Sequence, residues 1–186
     1  WMDRSGRDAR LDVRGPDAAE WLQGLLTQDV RTLEPGQGTY AAYLTPQGRM
    51  IADLRLFHRG DRFLIEAVAG VRATLLSRLD QFVIMEDVTI TDVSETLGCL
   101  TVMGPAAGGV VAAMTGLAQD ALEALPEHAQ IAVGTSGGFV AASRDLGEPA
   151  FDLVAPTVEI AAWRAQLQAR GTQASETLVD TARIEA

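Results

Sequence analysis

The chain has 186 residues, 47% of them apolar, with fifteen arginines against twenty-five Asp and Glu and a formal charge of −10; it contains no Lys and no Asn. That length and apolar content suffice for one ordinary domain or two small ones with a proper core. The acidic balance argues against direct binding of nucleic acid, which needs clustered basic charge, and the single cysteine, Cys99, excludes an internal disulfide framework or a four-thiolate metal site carried by this chain alone.

From the start, Trp1-Met2-Asp3-Arg4 leads into charged sequence with no apolar leader, so a cytoplasmic protein is expected. Arg10-Leu11-Asp12-Val13-Arg14 alternates as a strand, and Gly15-Pro16-Asp17 turns into a helix on which Ala18, Trp21, Leu22 and Leu25 recur at helical spacing. Tyr40 to Leu44 and Met50 to Phe57 read as two strands around Thr45-Pro46-Gln47-Gly48. After the turn His58-Arg59-Gly60-Asp61 come a third strand, Arg62 to Ala67, a helix over Val71 to Phe82, and a strand over Val88 to Val93. His58 and His128 both stand in predicted turns without ligand-like spacing, and no metal site is expected.

The uncharged stretch Thr96 to Gln119 is long enough to span a bilayer, but Gly104-Pro105 breaks it and Gly108, Gly109 and Gly116 follow. It reads instead as a strand, Leu97 to Met103, a tight turn, and a small-residue helix, Ala106 to Met114, so no membrane contact is expected. Strands at Gln130–Val133, Phe139–Ser143 and Phe151–Val154 follow, then a helix over Thr157 to Ala169. The tail from Ser175 to Ile184 reads as a further helix that stops without a C-cap, which suggests a longer natural protein. The second half thus repeats the order of the first. Val13-Arg14-Gly15-Pro16-Asp17-Ala18 faces Val102-Met103-Gly104-Pro105-Ala106-Ala107, and Phe63-Leu64-Ile65-Glu66-Ala67 faces Phe151-Asp152-Leu153-Val154-Ala155, at offsets of 89 and 88. The expected fold is α+β: two related βαβββα, ferredoxin-like units with antiparallel sheets, residues 1–95 and 96–186, with a cleft between them as the ligand site.

No phosphate-binding glycine loop, nucleophile elbow, HExxH or CxxC is present. The chemistry enters through a resemblance. Arg14-Gly15-Pro16-Asp17-Ala18 with Trp21-Leu22-Gln23-Gly24-Leu25-Leu26-Thr27-Gln28-Asp29-Val30 resembles the opening of the folate-binding superfamily that includes the glycine-cleavage T-protein and YgfZ. Tyr40 to Phe57, Gly147-Glu148 with Phe151-Asp152, and Asp180-Thr181-Ala182-Arg183-Ile184-Glu185-Ala186 continue it in order. T-proteins carry an Asp-Asp pair where this chain has Ala52-Asp53, and with the first of that pair taken as the catalytic carboxylate, Ala52 demotes aminomethyl transfer and leaves no catalytic residue. Gln47-Gly48-Arg49, Leu54-Arg55-Leu56-Phe57 and Gly60-Asp61 are similar to YgfZ, although the KGCYxGQE motif and C-terminal barrel of that group lie beyond Ala186.

The resemblance implies a tetrahydrofolate or a derivative as ligand and iron–sulfur enzymes as client proteins, with effects on tRNA modification. It implies folate-binding roles for Tyr40, Asp53, Leu54, Leu56, Glu66, Glu148 and Arg183. Tyr40 would wall the pterin, Glu148 would accept hydrogen bonds from its aminopyrimidine edge, and Arg183 would meet the carboxylate tail. The alternative is a folate-dependent aminomethyltransferase.

Overall fold

In a computed structural model of the chain, residues 1–144, 148–171 and 173–174 are described. They begin with a two-residue strand β1 (Met2–Asp3), which sequence alone does not suggest, and continue with β2 (Asp8–Arg14) and helix α1 (Ala18–Leu25). Strands β3 (Gly38–Leu44), β4 (Met50–His58) and β5 (Arg62–Val68) lead through a 3₁₀ turn at Ala69–Val71 into α2 (Arg72–Asp80) and strand β6 (Thr89–Asp92). The second run is β7 (Leu97–Met103), α3 (Ala107–Thr115), a short α4 (Gln119–Glu123), β8 (Gln130–Val133), β9 (Gly138–Ser143), β10 (Ala150–Pro156) and α5 (Thr157–Arg170). Every strand and helix read from the pattern within the described residues is present; the helix placed at Ser175 to Ile184 lies outside them.

The elements form two units, Gly6–Glu95 and Trp1–Ser5 with the chain from Thr96 onward. Each holds one antiparallel sheet, ordered β3-β4-β5-β2-β6 in the first and β8-β9-β10-β7-β1 in the second. The order is the same when β2, β3, β4 and β5 are matched to β7, β8, β9 and β10, so the repeat in the letters is a repeat in topology. Only the strand beside β2 and β7 differs in origin: β6 follows its own unit's second helix, whereas β1 comes from the start of the chain.

Strand alternation decides what each sheet face carries. In the first unit Leu11 and Val13 of β2, Leu54 and Leu56 of β4, and Phe63 and Ile65 of β5 pack with Trp21 and Leu22 of α1 and Leu75 and Leu79 of α2. Trp21 also donates its indole N–H to the Phe82 carbonyl oxygen at 2.9 Å, joining α1 to the chain after α2. The second unit packs Leu100, Val140 and Leu153 against Val111 of α3 and Ile160, Trp163 and Leu167 of α5. Gly116 ends α3 at φ +76°, the left-handed turn that glycine adopts without strain.

Asp92 ties the end of β6 back to α2. Burial pushes its carboxyl up, but the hydroxyl and N–H of Ser94 and the Arg72 guanidinium outweigh burial and hold it below its ordinary value of 3.8. A depressed folded-state value adds stability above the unfolded value, and that stability is lost as pH falls through the folded one. Wild-type protein is therefore expected to resist urea better than Asp92→Asn at pH 6, with the gap between their midpoints shrinking as pH drops below about 4. A gap constant from pH 6 to pH 3 would refute this account.

Among the described residues no helix is long and apolar enough to cross a membrane.

Candidate functional site

The first unit's sheet has a second face, turned away from α1 and α2, and it carries charged and polar side chains beside the buried Phe57 and Leu64, where the helix-packed face is apolar. Tyr40 of β3, Asp53 and Arg55 of β4, Glu66 of β5 and Asp8 and Arg10 of β2 all stand on it, by the two-residue period from Ala41, Leu54, Ile65 and Leu11 in the core. Tyr40 pairs across the hairpin with Arg55 and reaches diagonally to donate its hydroxyl to Asp53 Oδ2 at 2.6 Å. The ring is half-exposed, at 50%, and Asp53 is exposed as well. An aromatic face beside a hydrogen-bonded carboxylate can hold a flat heterocycle and accept a proton or a hydrogen bond from it.

Beside this pair, on the same face, runs a buried charge row. Glu66, 3% exposed, accepts from Arg10 Nε at 3.0 Å on one side and from Arg55 Nη2 on the other. Arg10 is fully buried, with Asp8 Oδ2 3.5 Å from its Nη2, and its backbone N–H goes to Ser94 Oγ at 2.9 Å. The Arg55 guanidinium lies 5.6 Å from the centre of the Phe57 ring.

The residues implied by the resemblance therefore separate. Tyr40 and Asp53 come together. Glu66 lies on the same face but is enclosed between two guanidiniums rather than presented to a ligand. Leu54 and Leu56, 2% and 0% exposed, belong to the helix-packed core on the other side of the sheet, so they support the site from behind. Glu148 is exposed on the segment leading into β10 of the second unit, and Arg183 lies outside the described residues. Arg10 and Arg55 are the residues that sequence reading missed. Their signal is charge at the outward positions of Arg10-Leu11-Asp12 and Leu54-Arg55-Leu56, but their meeting at Glu66 depends on strand register.

The pleat sends Ala52 and Asp53 to opposite faces of the sheet. Ala52 is 3% exposed and part of the helix-packed core, while Asp53 stands on the polar face with Tyr40. An acid at position 52 would point into the core, so alanine there says nothing against carboxylate chemistry at the polar face.

Elsewhere in this unit a cavity of about 220 Å³ is lined by Gly15, Pro16, Arg31, His58, Asp61 and Phe63, among others. His58 stacks on Phe63 with ring centres 4.5 Å apart, its Nδ1 2.9 Å from the Leu33 carbonyl oxygen and its Nε2 3.1 Å from that of Gly60. Both ring nitrogens thus face backbone oxygens, a structural use of the histidine. Beside it, burial lowers the Arg59 guanidinium to about 10, helped by Arg62 and opposed by Asp61. In the second unit, buried Asp152 accepts from Thr101 Oγ1 and lies 3.5 Å from Arg4 Nη1. Among the described residues no group of three or more His, Cys, Asp or Glu could hold a metal ion.

Comparison with known proteins matches residues 6–185 to the GCVT N-terminal domain. The chain is 33% identical over 176 residues to an aminomethyltransferase of Rubrobacter xylanophilus, covering 93% of this chain and 46% of that protein. It is 29% identical over 188 residues to an aminomethyltransferase of Nostoc sp., covering 95% and 49%. It thus spans about half the length of these curated relatives. Among solved structures, the glycine cleavage system aminomethyltransferase T of Bartonella henselae superposes with a TM-score of 0.88 at 24% identity, over 100% of this chain and 50% of that one, a likeness of fold.

Proposed function

Since this chain belongs to the family of the GCVT N-terminal domain, we propose that it binds a tetrahydrofolate-type ligand at the Tyr40–Asp53 pair and serves aminomethyl transfer, the activity by which its relatives are named. The observation that carries this reading is the exposed Asp53 carboxylate on the polar face, held by the Tyr40 hydroxyl at 2.6 Å. The donor set fits such a ligand: a half-exposed ring offers a stacking wall, and an exposed carboxylate offers an acceptor for a polar ring edge. When bound, a tetrahydrofolate supplies the nitrogen that receives a one-carbon unit. Asp53 would hold a proton or a developing positive charge next to Tyr40. Glu148 and Arg183 are proposed as further ligand contacts, whereas Leu54 and Leu56 keep a packing role.

A second reading is a YgfZ-type accessory protein for iron–sulfur client enzymes, located in the cytoplasm, which binds the same ligand without transferring from it. It is favoured by the Gln47-Gly48-Arg49 turn between β3 and β4 and by Leu54-Arg55-Leu56-Phe57. Calorimetry with 5-formyltetrahydrofolate and an aminomethyl-transfer assay separate the readings. Binding with transfer supports the first, and binding without transfer supports the second. Folded protein that gives no binding heat removes both. Within either, Glu148→Ala is expected to weaken binding by about tenfold, the loss of one charge-assisted hydrogen bond.

A further inference from the structure

The duplicated fold supplies a control for the buried charges. In the first unit one cross-strand row runs Tyr40, Arg55, Glu66, Arg10 through β3, β4, β5 and β2. The matching row of the second unit runs Ala132, Phe139, Val154, Cys99 through β8, β9, β10 and β7. Phe139, Val154 and Cys99 are all buried, and they form the same ladder with no charge at all. The sheet therefore does not need Arg55, Glu66 and Arg10 to form. Apolar replacement of a buried ion network is often neutral or stabilising, so stability is a poor reason for the network to exist.

What sets the charged row apart is its neighbour. Arg55 is the cross-strand partner of Tyr40 and the next residue on the same face of β4 after Asp53. Its guanidinium is held from two directions, by the Glu66 carboxylate and over the Phe57 ring. Glu66 itself is anchored by Arg10 and is 3% exposed. We propose that Glu66 is a positioning residue: by holding the side chain of Arg55, the cross-strand partner of Tyr40 and the residue next to Asp53 on this face, it sets the orientation in which that pair meets its ligand. This replaces direct ligand contact by Glu66 and rests on the ligand reading of the Tyr40–Asp53 pair given above.

Two variants test it. Glu66→Gln removes the charge and keeps the shape, and the triple change Arg10→Cys, Arg55→Phe, Glu66→Val transplants the second unit's row into the first. The readouts are 5-formyltetrahydrofolate affinity by calorimetry and the ring resonance of Tyr40 in chain carrying ¹³C-labelled tyrosine, with buried Tyr43 as the internal reference. Both variants are expected to fold, to shift or broaden the Tyr40 resonance while Tyr43 stays in place, and to bind about tenfold or more weakly, as misplacement of a binding group does. Wild-type affinity with an unmoved Tyr40 resonance in either folded variant overturns the proposal. Failure of the transplant to fold overturns its premise that the sheet does not need these charges. If wild-type chain gives no binding heat, the ligand reading fails, while the Tyr40 resonance in Glu66→Gln still decides the positioning role.

Discussion

Asp53→Asn is expected to slow the proposed transfer chemistry by about two orders of magnitude or more while leaving the fold intact. Asparagine keeps the size of the side chain and an oxygen that accepts from Tyr40, which now donates at 2.6 Å, so the hairpin loses little. It has no negative charge and takes no proton. If Asp53 supplies acid–base or charge stabilisation, the rate should fall by about 10²- to 10⁴-fold, the usual contribution of such a group. Affinity for 5-formyltetrahydrofolate should change far less, because the ring of Tyr40 remains. The paired experiment is Ala52→Asp. That side chain would enter the core beside Leu54 and Leu56, where a carboxylate without a partner costs several kcal/mol (~3 or more). The expected result is a destabilised protein with no gain in transfer. A transfer rate unchanged in Asp53→Asn, or raised in Ala52→Asp, would show that the polar face is not where the chemistry occurs.

These two neighbours also show how far the sequence could be read. Apolar alternation in Arg10-Leu11-Asp12-Val13-Arg14 and in Asp53-Leu54-Arg55-Leu56 is enough to locate the strands and to divide their two faces. The repeat of Val13-Arg14-Gly15-Pro16 in Val102-Met103-Gly104-Pro105 is enough to announce two similar sheets. The same alternation, applied to Ala52 and Asp53, already places Asp53 on the face opposite Leu54 and Ala52 on the face of Leu54, a division that the pair of letters by itself does not carry. Other features had no local signal. Strand β1 is two residues long and exists because β7 offers it an edge. The Arg10–Glu66–Arg55 row joins residues 56 and 11 positions apart, and nothing within any one strand says which outward positions will share a register. Glu66 read alone is an ordinary outward acid on a strand; only the sheet order puts a guanidinium on each side of it.

Gly15→Ala should be among the most destabilising single changes in the first unit, and its twin in the repeat shows why. Gly15 and Gly104 each precede a proline and open the turn into a helix, at φ +123° and +106°, where a side chain strains the backbone. At Gly104 that strain is the whole effect, because a Cβ there meets nothing within 4 Å. About 1–2 kcal/mol is expected. At Gly15 an added Cβ would lie 1.9 Å from the Asp87 carbonyl oxygen, which is backbone and cannot rotate aside. The Asp87 N–H is meanwhile held by Asp17 Oδ2 at 2.8 Å, so the 81–87 segment is drawn onto Gly15 from the same turn. Relieving the clash means breaking that bond and lifting the segment from the Trp21 indole that donates to Phe82. The combined loss is expected to reach about 3–5 kcal/mol. Amide hydrogen exchange reads the two units separately: protection in α1 should collapse in Gly15→Ala, whereas α3 in Gly104→Ala should lose only the smaller amount. Equal losses at the two positions would mean that the close approach of Asp87 contributes nothing, and that backbone conformation alone calls for glycine at both turns.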